Sequence, residues 1–169
     1  PQEDIWVSEY GCRVQEFDAE GEFLRSVGSC GAGEGEFAES AGIDVGPDGR
    51  LWVSDWVNHR VSVFDEEGEF LFHFGSYGTG NGQFNHPDSV EVDSEGNVWV
   101  GDQSNHRVQA FDSEAKYLGQ LGSYGAGPGQ FNFTWPLGIE TDSKGDLWVA
   151  DPNNHRVQRW LTAHYTTPT

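Results

Sequence analysis

Apolar residues in this chain fall in short runs set between turn residues. Leu51-Trp52-Val53-Ser54-Asp55 is nearly continuous, which predicts a strand covered on both faces. Ala41 to Gly46 reads as a shorter apolar strand before it, joined through the turn Pro47-Asp48-Gly49-Arg50. Beyond an Asn58-His59 reversal, Arg60-Val61-Ser62-Val63-Phe64 alternates as a third strand. Asp65-Glu66-Glu67-Gly68 turns again, and Glu69 to Phe74 completes a four-stranded antiparallel unit. A glycine-rich connection, Gly75 to Phe84, then leads onward.

The unit recurs. Asp55-Trp56-Val57-Asn58-His59-Arg60-Val61 returns as Asp102-Gln103-Ser104-Asn105-His106-Arg107-Val108 and as Asp151-Pro152-Asn153-Asn154-His155-Arg156-Val157. A worn copy, Glu9-Tyr10-Gly11-Cys12-Arg13-Val14, opens the chain, so the arginines stand 47, 47 and 49 residues apart. That period belongs to propeller blades or solenoid units.

The order of small apolar strand, Asp-Gly-type turn, W-V-x-D, N-H-R-V, Phe-Asp and G-S-x-G-x-G-x-G-[QE]-F resembles the NHL repeat over nearly the whole chain. The resemblance implies an all-β fold, a β-propeller of four-stranded antiparallel blades. NHL propellers usually have six blades, whereas this sequence supplies about 3.5, or about fourteen strands. The expected divisions of this single segment are 1–37 for a partial first blade, 38–84 and 85–131 for whole blades, and 132–169 for a partial last blade with its tail. An open arc exposes buried-type flanks at both ends, which further blades of a parent chain or a second copy would cover. A chain without methionine, beginning at Pro1 inside a repeat, reads as a piece of something longer. The tail from Leu161 lacks the signal of an ordinary fourth strand and is read as an extended segment able to pair with a neighbour.

Composition narrows the partners. With 36% hydrophobic and 14% aromatic residues, the 169-residue chain can build a core. Its net charge is −19, with 28 acids spread through every repeat. Such a surface repels phosphate backbones and anionic lipid, so no nucleic acid is expected. No run of eighteen apolar residues is present, so no membrane span is expected either.

The repeated residues suit a scaffold, since an active site is built once from unlike residues. Asp55, Asp102 and Asp151 end the second strands, five residues before Arg60, Arg107 and Arg156, and a bidentate pair across each hairpin is expected. Asn58, Asn105 and Asn154 suit a left-handed turn position or an Asx bond. His59, His106 and His155 lie one to a blade, too dispersed to converge on zinc, and are read as packed structural histidines. Glycines of the crossovers suit tight turns better than a phosphate cradle, because no helix follows them. Asp-Gly-type turns such as Asp93 to Asn97 lack EF-hand spacing, so no cofactor is expected beyond weak calcium binding by an acidic surface.

Cys12 fills the slot of the repeat histidines, and Cys30 that of Tyr77 and Tyr124. In a meander those slots are neighbours. A Cys12–Cys30 disulfide therefore replaces a His-Tyr contact, and it implies an extracellular or secreted location.

Positions that differ between copies are free to bind. They cluster before each N-H-R, giving Tyr10, Trp56, Gln103 and Asn153, and in the third crossover, where Phe133-Thr134-Trp135 replaces the single His86 before proline. Trp56, Trp135 and Tyr10 are aromatic anchor candidates. The expected function is a non-catalytic scaffold for protein binding or self-assembly. The alternative is a fragment of a metal-dependent propeller lyase or hydrolase, which the resemblance would locate at His86 and the first-strand acids Asp44, Glu91 and Glu140.

Overall fold

A computed structural model of the chain describes residues 4–134 and 137–162. Strands β1 (Ile5–Ser8), β2 (Val14–Phe17) and β3 (Phe23–Val27) form a three-stranded antiparallel sheet. Two short strands, β4 (Ser29–Cys30) and β5 (Glu36–Phe37), then pair in parallel inside the first crossover. A four-stranded meander follows in β6 (Ser40–Val45), β7 (Leu51–Asp55), β8 (Arg60–Phe64) and β9 (Phe70–Phe74). Its repeat is β10 (Pro87–Val92), β11 (Val98–Asp102), β12 (Arg107–Phe111) and β13 (Tyr117–Leu121). The last sheet holds β14 (Ile139–Thr141), β15 (Leu147–Asp151) and β16 (Arg156–Trp160).

Successive sheets are blades, with β6 against β10 and β10 against β14 as the inner strands. Among the described residues no sheet pairs the last blade with the first, so the blades make an open, partial propeller. Each joint interleaves one face of a blade with the opposite face of the next. Trp52, Val61 and Val63 pack on Val90, Val98, Val100 and Phe111, while Leu51, Val53 and Phe64 pack backwards on Val14, Val27 and Phe37. This is why β8 and β12 are buried at every residue although their sequences alternate. The outer flanks lack such cover. Trp148 is 40% exposed where its equivalents Trp52 and Trp99 are 1% exposed, and Ile5, Val7 and Val157 are exposed as well. The tail beyond Thr162, read as an extended pairing segment, lies outside the described residues.

One glycine shows what the crossovers demand. Gly75 has φ 99°, and a Cβ there would stand 2.5 Å from the Phe84 ring. Glycine thus lets the incoming phenylalanine plug the joint while the chain turns.

Candidate functional site

The repeat residues converge on the crossovers. Arg107 donates through Nε to Asp102 at 2.7 Å, while its Nη atoms donate to the carbonyls of Thr79, Gly80 and Gln83 at 2.8–2.9 Å. Arg156 repeats this with Asp151 and with Ala126, Gly127 and Gln130. Arg60 binds the carbonyls of Ala32, Gly33 and Glu36, its Nε lying 3.7 Å from Asp55. The expected bidentate pair is therefore corrected: the guanidinium meets the carboxylate on one edge and hands its other donors to the preceding crossover. A glycine-rich loop exposes carbonyls with no ladder partner, and a five-donor fork satisfies three of them at once.

Asn58, Asn105 and Asn154 complete this clamp. Each Nδ2 donates both to its aspartate and to a crossover carbonyl, of Gly31, Gly78 and Gly125 respectively. The left-handed position falls one residue later than expected, on His59, His106 and His155, with φ of 56°, 52° and 53°. Asparagine is kept out of it because its amide must reach back to the aspartate. Sequence reasoning missed two members, Gln109 and Gln158, which bond the carbonyls of Gln83 and Gln130 and the amides of Gly82 and Gly129. Their signal was the shared Arg-Val-Gln of β12 and β16.

Electrostatics differ along the array. Burial pushes the Asp102 carboxyl up, against hydrogen bonds from Asn85, Asn105 and Arg107. For Asp151 burial acts the same way, but bonds from Asn132, Asn154 and Arg156 outweigh it and hold the group below its usual range. In the first blade Glu9 and Arg13 form a 3.1 Å pair that is exposed.

Two histidines of the motif, His59 and His106, are packed between crossovers, whereas His155 of the last blade, read from the sequence as packed, is exposed. The His59 ring lies 5.0 Å from Tyr77 and accepts the His86 amide at Nδ1 (3.1 Å). His106 matches it, with Tyr124 at 4.8 Å and the Phe133 amide at 3.0 Å. Burial pulls both imidazoles below the ordinary histidine range. In the equivalent place of the first blade, Cys12 and Cys30 are joined by a disulfide.

The variable residues occupy the β1–β2, β7–β8, β11–β12 and β15–β16 hairpins, at one end of the blades. Tyr10 is exposed. Trp56 stacks on the His86 ring at 3.9 Å and donates to Gln103 Oε1 at 3.2 Å. Gln103, expected on the binding face, is buried beneath that contact and offers little to a partner. Asn153 sits on the rim, accepting from Thr134 at 3.1 Å. Trp135 lies outside the described residues.

The first-strand acids act as links between blades. Asp44 accepts the Val92 amide at 2.6 Å, and Glu91 accepts the Thr141 amide at 2.9 Å and its hydroxyl at 2.6 Å. Desolvation pushes Glu91 up to about 7, the charges of Asp44 and Glu140 adding to the rise and the Thr141 bonds opposing it. His86 is engaged elsewhere, with Trp56 and with Ser104 at 3.1 Å. Among the described residues, no three histidines, cysteines or acids are grouped as a metal-ligand set.

Four-stranded meanders joined inner strand to inner strand define a β-propeller, here a partial one. The NHL-repeat model matches residues 37–64, 84–111 and 133–160, and the chain belongs to the NHL-repeat family. Among solved structures it is similar to a streptogramin B lyase, at 18% identity and TM-score 0.69, over 92% of this chain and 47% of that one. A virginiamycin B lyase from Staphylococcus aureus matches at 14% identity and TM-score 0.64, over 92% and 48%. A protein of unknown function from Bacteroides thetaiotaomicron matches at 16% identity and TM-score 0.72, over 91% and 43%. The chain thus spans about half the length of these structures or less, and the likeness concerns the fold. No curated protein sequence matches it.

Proposed function

We propose that this chain is a non-catalytic, extracellular scaffold that binds protein through its hairpin face. One observation carries the reading: the residues that repeat are engaged in the clamp, whereas Tyr10, Trp56 and Asn153, which differ between copies, lie in hairpins at one end of the blades. Tyr10 and Trp56 supply aromatic groups of the kind that dominate protein interfaces, and Asn153 adds an amide that can donate and accept. The partner is a protein, either further blades of a parent chain, a second copy or a separate molecule. Secretion is supported by the Cys12–Cys30 disulfide, which persists in oxidising surroundings. No helix among the described residues is long and apolar enough to cross a membrane.

A photo-cross-linking residue at Val57, 44% exposed on the hairpin rim, tests the reading against one at Glu67 in the β8–β9 turn at the opposite end. In medium from the native source, protein adducts are expected at position 57 and not at 67. Equal labelling, or none at 57, contradicts the proposal.

A further inference from the structure

Each blade fixes the end of the incoming crossover by one backbone amide on its motif aspartate: Ala38 to Asp55 at 3.3 Å, Asn85 to Asp102 at 2.7 Å and Asn132 to Asp151 at 2.8 Å. Alanine serves in the second blade, so the scaffold uses the amide and does not require an asparagine side chain there. Where the third blade has Asn85-His86-Pro87, the last blade has Asn132-Phe133-Thr134-Trp135-Pro136, two residues longer. The extra length creates Asn132-Phe133-Thr134, an N-x-[ST] acceptor sequence whose middle residue is not proline. None of the other asparagines in the chain has serine or threonine two residues on.

The structure sets this sequence out on the surface. Phe131 and Phe133 are buried and stack with ring centroids 4.5 Å apart, whereas Asn132 is half-buried and Thr134 exposed. Side chains alternate along an extended chain, so the phenylalanines anchor the segment in the joint while Asn132 and Thr134 share its outer side. One rim residue touches both. Asn153 donates through Nδ2 to Asn132 Oδ1 at 3.3 Å, and its Oδ1 accepts from Thr134 Oγ1 at 3.1 Å. The remaining branch of the Asn132 amide, Nδ2, makes no hydrogen bond among the described residues and is not one of the side-chain atoms buried without a partner.

We propose that Asn132 is an N-glycosylation site, modified by an oligosaccharide from a lipid-diphosphate-linked donor. The bond from Nδ2 to the sugar C1 forms as the bond from C1 to the diphosphate oxygen breaks. The lipid diphosphate leaves, and a base of the transferase takes the Nδ2 proton. Thr134 supplies the hydroxyl by which the acceptor is recognised. The proposal rests on the extracellular reading, because the transfer belongs to the secretory compartment in which the Cys12–Cys30 bond also forms. A glycan at Asn132 stands against Asn153, takes that residue out of the binding rim and leaves Tyr10 and Trp56 as its aromatic contacts.

The test expresses the full chain behind a cleavable secretion leader in a eukaryotic host and reads its intact mass, in the lumenal and medium fractions, before and after a peptide N-glycan amidase. The wild type is expected to carry one discrete mass increase, which the amidase removes while deamidating Asn132. Thr134→Ala should abolish the increase and Thr134→Ser retain it at least in part; both should fold, since the bond to Asn153 is exposed. Glycosylated and amidase-treated chains should share one tryptophan emission spectrum. No amidase-sensitive mass in either fraction, a mass that persists in Thr134→Ala, or a glycosylated chain without the folded emission overturns the proposal. Free Cys12 and Cys30 thiols on a folded chain glycosylated at Asn132 would support the acceptor and count against the extracellular reading, whereas an unmodified chain with the disulfide formed would do the reverse.

Discussion

Replacing Arg107 by methionine removes the clamp of the third blade while keeping much of the side-chain volume. Its side chain is 8% exposed and Asp102 is fully buried, so the substitution leaves a carboxylate in the interior facing only amide donors. Breaking a buried ion pair from one side costs about 3–5 kcal/mol. The crossover carbonyls of Thr79, Gly80 and Gln83 lose their shared donor as well, but lie near enough to water to recover part of that loss. Arg156 provides an internal comparison, because the same bonds are made by a side chain 27% exposed. For Arg156→Met the expected loss is about 1–2 kcal/mol. Both lie within the about 5–15 kcal/mol typical of a folded domain, so urea unfolding followed by tryptophan fluorescence resolves them. A loss below about 1 kcal/mol for Arg107→Met, or one no larger than for Arg156→Met, would refute the clamp as the basis of the repeat.

Burial raises Glu91 to about 7, so the folded chain keeps a proton that the unfolded chain releases from about 4.5 upward. Stability should fall as pH rises through that window and level off above 7; Glu91→Gln should flatten the fall in urea midpoints measured from pH 4.5 to 8, and an unchanged slope would contradict the assignment. Reducing the Cys12–Cys30 bond, which closes an 18-residue separation, should cost about 3 kcal/mol in calorimetry. The double replacement Cys12→His with Cys30→Tyr, restoring the pair of the other blades, should recover part of it. Gly75→Ala should cost more than about 2 kcal/mol, since it combines positive φ with a clash on Phe84, whereas Gly11→Ala, with open space around it, should be nearly neutral in the same assay.

Much of the fold was legible because each strand carries its own signal. Runs such as Leu51 to Asp55 and turns such as Pro47 to Arg50 locate the strands locally, and repetition supplies the number of blades. What escaped was the cross-chain chemistry. Nothing local to Arg107 says that its donors go to Thr79, Gly80 and Gln83, some 24 to 28 residues earlier. The positive φ at His106 instead of Asn105 likewise follows from a tertiary demand, the reach of the amide to Asp102 and Gly78. The candidate rim was legible as a set of variable positions, but variability does not report burial. Gln103 differs from its counterparts because it receives the Trp56 indole, a pairwise fit visible only once adjacent blades are placed together.

Residue-resolved hydrogen exchange on the wild type and Arg107→Met tests most directly whether the repeat signature is a crossover clamp. Gly78 and Phe84 amides bond within the second crossover at 3.0 and 2.8 Å, and Gly125 and Phe131 do the same in the third at 2.9 and 2.7 Å. The account predicts that all four are protected in the wild type, and that Arg107→Met releases Gly78 and Phe84 while Gly125 and Phe131 keep their protection. Unchanged protection at Gly78 and Phe84, or a loss spread evenly over both crossovers, would contradict it.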